Sequence, residues 1–214
     1  MSAAPGAATD SLLLDATSTD GRVARGQRTR RRVAESLITL LGEGDPDPTA
    51  KVIAERAGVS LRLVFHHFSD MDDLYRTVFA LQLEHVQGAL PDVAAALPQP
   101  VRIEDTVRHR RVLYEEISPV RRAAVRRSPG SAEVVAAIAS SNTILKQNLS
   151  AAFAPELAVG PVTEGTELLA ALDAASSWET WERLRHSSAL TVVDASAVMT
   201  RTLAALLASP GGAP

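Results

Sequence analysis

Apolar residues return along this chain at helical spacing. Val33, Leu37, Leu40 and Leu41 lie at i, i+4, i+7 and i+8, which predicts a helix from about Gly26 to Gly42. Gly42, Gly44, Pro46 and Pro48 then break it. A short helix follows from Thr49, an N-cap by type, to about Arg56, with Val52, Ile53 and Ala57 on its buried side. Gly58 supplies a backbone able to take positive φ, and Ser60 caps a third helix over Leu61–His67. Ser69 reads as the next cap, and Asp70, Asp72 and Asp73 oppose the dipole of a fourth helix that ends before Pro91.

The same signals carry through the rest of the chain. A fifth helix is expected over about Val101–Ile117, and Ser118-Pro119 starts a short sixth that ends near Arg127. The seventh runs from Ser131 to about Ala154 and the eighth from Thr163 to about Arg185. Thr191 to Asp194 resembles a capping box and opens a ninth, ending near Ala208. No strand alternation and no repeat occur. The fold class expected is all-α with about nine helices. It comprises a disordered tail (1–21), a three-helix helix-turn-helix domain (22–70), a C-terminal helical ligand-binding and dimerisation domain (71–208) and a loose tail (209–214).

Composition sharpens this picture. Hydrophobic residues make up 46% of the 214 but aromatics only 4%, so the core is aliphatic. Without cysteine there is no disulfide, thiolate zinc site or Cys nucleophile. No signal peptide or membrane-length apolar run is present, and the expected location is cytoplasmic. The net charge of −3 conceals a local excess: Arg22, Arg25, Arg28, Arg30, Arg31 and Arg32 occur without an intervening acid, as phosphate binding requires.

The third helix has an outward face worth reading. Val64 and Phe68 point inward, while Arg62, His66 and Leu63 lie opposite, with Leu61, Phe65 and His67 flanking. Arg62 has the chemistry to read guanine with paired hydrogen bonds, and Leu61 or Leu63 to touch a thymine methyl. The run from Thr49 to Tyr75 holds Ala-Gly-Val-Ser, then Phe-His-His-Phe, then an acidic helix start closed by Leu-Tyr. It resembles the DNA-binding domain of TetR-family regulators over about residues 26–76. The resemblance implies that Lys51 touches DNA, that Leu61, Arg62 and Leu63 read bases behind the Ser60 cap, and that Phe65, His66 and His67 contact phosphate or sugar. Two positions depart from the family: Phe65 replaces a usual Tyr and Met71 a usual Lys, each removing a backbone contact. Arg25 and Arg28 are expected to compensate as an N-terminal arm.

The ninth helix carries Met199, Leu203 and Leu206 on one side and Ala197, Thr200, Ala204 and Ala208 on another, so it needs two partners. One is its own subunit. The other is expected to be a second copy, packed also through Leu168, Leu172 and Ala175 to form a homodimer. Family resemblance further implies a pocket for an unknown small-molecule effector, with Leu81, His85, Leu113, Ile117, Ile138, Asn142 and Trp178 as candidate lining. No metal site, cofactor, catalytic grouping or membrane partner is expected. His66 and His67 point about 100° apart on a helix and cannot share one ion. Arg121, Arg122, Arg126 and Arg127 read as a solvated or ion-paired face, with Glu115 and Glu116 as partners. The function expected is a DNA-binding repressor that an effector releases from operator DNA. The alternative is a helical ligand-binding or interaction protein with a weakened DNA head.

Overall fold

The computed structural model describes the backbone of residues 8–208 and the side chains from Val23 onward, Ser128 excepted. The expected loose tail at 209–214 lies outside the described residues. The α-helices among the described residues are α1 (Ala8–Gly42), α2 (Ala50–Ala57), α3 (Leu61–His67), α4 (Met71–Ala89), α5 (Gln99–Arg127), α6 (Ala132–Ala152), α7 (Ala154–Leu157), α8 (Val162–Ala175), α9 (Trp178–Glu182) and α10 (Val192–Ala208). There is no strand among the described residues.

The chain divides into two units, Met1–Val78 and Phe79–Pro214. The boundary therefore falls after Val78 rather than after Asp70. The first turns of α4 belong to the first unit because Leu74, Tyr75 and Val78 are buried there and the Tyr75 hydroxyl donates to Asp47 at 3.2 Å. The rest of that core is Val33, Leu37, Leu40 and Leu41 of α1, Ile53, Ala54 and Ala57 of α2, and Val64 with Phe68. Val52, expected inside, is 37% exposed, and Ala54 takes its place.

Helix α1 begins at Ala8, well inside the segment expected to be a disordered tail. No proline interrupts Ala8–Gly42, and Ala and Leu recur early in it. Once packing has nucleated the helix at Val33–Leu41, adding residues ahead of it has little free-energy cost.

In the second unit three expectations change. Helix α5 runs unbroken through Ser118-Pro119. An internal proline costs a helix about 3 kcal/mol, but here Ile117, Ser118, Val120 and Ala123 are all buried. The Ser118 hydroxyl donates to the Tyr114 carbonyl and accepts from Trp178 Nε1 at 2.9 Å, so packing holds both sides of the proline together. The expected eighth helix is instead two. Ser176 is fully buried, with its hydroxyl on the Leu172 carbonyl at 2.7 Å, and Ser177 caps a new helix by accepting from the Thr180 amide. That restart turns Trp178 and Trp181 inward before a five-residue π-helical turn, Arg183–Ser187. Between α6 and α8 the expected loop contains the single turn α7. Helix α8 lies so close to it that a Cβ on Gly165 would sit 2.3 Å from the Leu157 carbonyl oxygen.

The core of the second unit is mostly aliphatic, with Tyr114, Phe153, Trp178 and Trp181 buried in it, and it encloses three arginines. Arg102 donates to the Leu97 and Ala152 carbonyls (2.9 and 2.8 Å) and to Glu156. Arg110 donates to the Tyr114 hydroxyl and the Leu145 carbonyl, both at 2.8 Å, and that hydroxyl donates to the Ser176 carbonyl. Arg121 reaches Asn142 at 2.7 Å and Glu179 at 3.3 Å. The arginine cluster expected to be a solvated or ion-paired face is ion-paired at Arg121 and Arg122, with Arg121 buried, and the carboxylate partners of these two come from α9 rather than from Glu115 and Glu116. Arg122 pairs with Glu182 at 2.7 Å, whereas Glu115 pairs with Arg185 and Glu116 with His85.

Candidate nucleic-acid interface

Helices α2 and α3 are joined by a turn that local chemistry dictates. Gly58 takes φ 63°, and the Val59 amide returns to the Ala54 carbonyl at 3.0 Å. This left-handed closure favours glycine because it has no Cβ to clash. The Ser60 hydroxyl then accepts from the Leu63 amide at 3.2 Å and starts α3. Val64 and Phe68, each 1% exposed, fix the rotation of the helix on the core. That rotation leaves Leu61, Arg62, Phe65 and His66 exposed and Leu63 and His67 half-buried. Lys51 is exposed on α2, and Arg25 and Arg28 are exposed on α1. Half-buried Met71 brings no charge to the start of α4.

The far end of α3 is tied down by a residue that the sequence places in the basic patch. Arg30 donates to the His67 carbonyl, to Asp73 at 2.7 Å and to the Thr77 hydroxyl at 2.8 Å. Its guanidinium also lies 4.3 Å from the centre of the Phe68 ring. One side chain of α1 therefore braces both α3 and α4. No spacing rule links residue 30 with 73, so only packing reveals it. Hydrogen bonding to Arg30, with help from the Ser69 amide, holds the Asp73 carboxyl below the usual range against the opposing effect of burial. Asp70, rather than Ser69, is the residue that caps α4: its carboxylate accepts from the Asp73 amide at 2.7 Å. Burial, then the neighbouring charges of His66 and Arg30, pushes the His67 imidazole below its ordinary range, so it is neutral near pH 7.

The residues expected to line an effector pocket differ in their surroundings. Leu113, Ile117 and Trp178 fill the core of the second unit. His85 is exposed and 3.0 Å from Glu116, and Asn142 is exposed and accepts from Arg121. Leu81 is half-buried. A cleft of about 620 Å³ takes only Trp178 from this set, and a smaller one of about 20 Å³ takes only Ile138. Of the residues expected at a dimer interface, Leu172 is 0% exposed and packs in its own protomer's core, so it has no surface to offer a partner. Ala197 and Ala208 are exposed, and Leu168, Ala175, Thr200 and Ala204 are half-buried.

Residues 37–78 match the sequence profile of the bacterial regulatory proteins of the tetR family, a span that takes in the end of α1 from Leu37, α2, α3 and the start of α4 to Val78. The chain is similar in fold to a TetR-family transcriptional regulator of Streptomyces coelicolor, with TM-score 0.70 at 16% identity over 84% of this chain and 80% of that one. It is similar also to a transcriptional regulator of Rhodococcus sp. Rha1, with TM-score 0.66 at 17% identity over 83% and 95%. No curated protein matches the chain significantly. The profile match is confined to the helix-turn-helix head, and the structural likeness shows a fold shared with TetR-family regulators.

Proposed function

We propose that this protein is a DNA-binding transcriptional regulator, working in the cytoplasm as a homodimeric repressor that a small-molecule effector releases from its operator. The observation that carries the reading is the head of α3. Arg62 stands exposed there beside Leu61, on a helix whose rotation Val64 and Phe68 fix and whose two ends Ser60 and Arg30 fasten. Base reading by the first residues of such a helix requires that exposure and that rigidity. Lys51, Phe65, His66 and His67 surround it as backbone contacts, and Arg25 and Arg28 extend the basic surface along α1. Among the described residues no helix is long and apolar enough to cross a membrane.

The dimer is supported by α10. Val193, Ala197, Thr200, Ala204 and Ala208 form a stripe of small or apolar residues that its own protomer leaves partly or wholly uncovered, with Val193 71% exposed. Two-fold pairing through that stripe, with Leu168 and Ala175 of α8, gives two recognition helices for a palindromic site. An effector would act by binding one conformation of the dimer better than the DNA-competent one.

Selection of bound duplexes from a random pool tests the reading. The expected product is a palindrome with half-sites about one helical turn apart, lost for Arg62→Ala. A pool that yields no consensus, or an Arg62→Ala protein that selects the same consensus, would overturn it and favour a ligand-binding protein with a weakened head.

A further inference from the structure

We propose that the cleft between the C-terminal end of α5 and the α9–π-turn segment binds an organic carboxylate with a flat apolar body. It rests on the regulatory reading only for its coupling to DNA; the site itself stands on the geometry of the second unit.

The cleft, about 620 Å³, falls in the size range of small-molecule sites. Its walls carry charge and apolar surface in separate places. Arg122, Arg126 and Arg183 line it together with Glu179 and Glu182. Both carboxylates are already engaged. Glu182 accepts from Arg122 at 2.7 and 3.3 Å, and Glu179 accepts from Arg121, which is buried behind the wall. Exposed Arg183 has no carboxylate partner among the described residues. The lining therefore has an excess of positive charge, with Arg183 placed to take a new anion.

The apolar part comes from Val125, which is 44% exposed, and from the Trp178 indole. Trp178 Nε1 is committed to the Ser118 hydroxyl, so the ring has no donor left for a ligand and offers only its apolar surface. Arg121 lies 5.5 Å from the centre of that ring and adds to the positive field. Two wall carboxylates repel a dianion more than a monoanion, so a carboxylate head fits better than a phosphate. Its planar pair of oxygens also matches the guanidinium fork.

The backbone here is irregular in the way binding sites often are. Arg183 and Ser187 begin and end the π-helical turn, a geometry concentrated at functional sites. Ala189, just beyond, is held at φ 52°, where a residue other than glycine is strained. An ordinary α-helical continuation from α9 would need neither feature.

The test uses the full chain and 2-naphthoate, read by tryptophan fluorescence and calorimetry. Saturable binding is expected, weakened about tenfold when 2-naphthamide replaces the acid or when Arg183→Ala replaces the arginine, and abolished by Val125→Asp. Arg201→Ala, exposed on α10, should leave binding unchanged, and Arg183→Ala should unfold as the parent does because its side chain has no ion pair to lose. Equal affinity for acid and amide, no saturation by 2-naphthoate, or an unaltered affinity in Arg183→Ala would overturn the proposal. Duplex selection runs on the same protein. Carboxylate binding without a selected duplex keeps this site and sinks the regulatory reading; a selected palindrome without carboxylate binding does the reverse.

Discussion

Among the described residues, only the second unit of this protein buries arginines. In the first, Arg25, Arg28, Arg32 and Arg62 stand in solvent, and even the bracing Arg30 keeps about a third of its side chain exposed. In the second, Arg102, Arg110 and Arg121 are no more than 5% exposed and hydrogen-bond to main-chain carbonyls, the buried Tyr114 phenol and the Asn142 amide, while Arg183 and Arg201 stay exposed. A surface that meets phosphates needs cations that water can reach until DNA displaces it. A helical bundle whose turns restart at serines has carbonyls to satisfy, and the five-donor guanidinium is the side chain with enough hydrogen-bonding reach to do so.

That contrast can be broken most severely in the second unit. Arg102→Met should destabilise the protein by about 3–5 kcal/mol, because it strands the Glu156 carboxylate and the Ala152 carbonyl in a mostly buried site. Arg30→Met in the first unit should cost about 1–2 kcal/mol, since water partly replaces what is removed. Urea denaturation of the two variants measures both, and equal losses would erase the distinction.

Arg62→Ala is next in size. It should reduce affinity for the selected duplex by about 1–3 kcal/mol while shifting unfolding by no more than about 0.5 kcal/mol. A large stability loss would show that Arg62 supports the fold instead. Replacing Arg25 and Arg28 together by alanine should lower the slope of log K against log salt by about 0.9 for each phosphate no longer neutralised. An unaltered slope would remove the α1 extension from the interface.

The smallest effect is one of pH. Hydrogen bonding to Arg102 holds the Glu156 carboxyl below its ordinary range. A depressed carboxyl adds stability above its unfolded pKa, about 4.3, and loses it as pH falls through the lower folded value. In Arg102→Met burial acts on Glu156 without Arg102 to oppose it and lifts its pKa above the ordinary carboxylate value, so the stability gap between parent and variant should begin to narrow above about pH 4.3 and keep narrowing as the pH falls toward the parent's depressed value. A gap that widens in acid would reverse the assignment.

How much of this was legible beforehand differs between the units for the same reason. Thr49, Gly58 and Ser60 act within a few residues, so the ends of α2 and α3 and the exposure of Arg62 and His66 followed from spacing, whereas Leu63, expected outward with them, is half-buried and Leu61 and Phe65, expected only to flank, are exposed. The cleft beside Trp178 and the brace from Arg30 to Asp73 did not, because their members are far apart in the chain. Pro119 and Ser176-Ser177 misled for a related reason. Proline ordinarily starts a helix and paired serines need not stop one, but the buried bonds of Ser118 and Ser176 reversed both tendencies.

By itself the amino-acid order determined that the chain is helical, where the turn between α2 and α3 lies and that Arg62 and His66 face outward, since caps, glycine turns and apolar period operate over one or two helical turns. Tertiary structure alone decided which arginines are buried, where the long C-terminal segments break, and which walls enclose a cleft. Those outcomes depend on which distant carbonyl or carboxylate lies within hydrogen-bond reach, and local spacing carries no record of that.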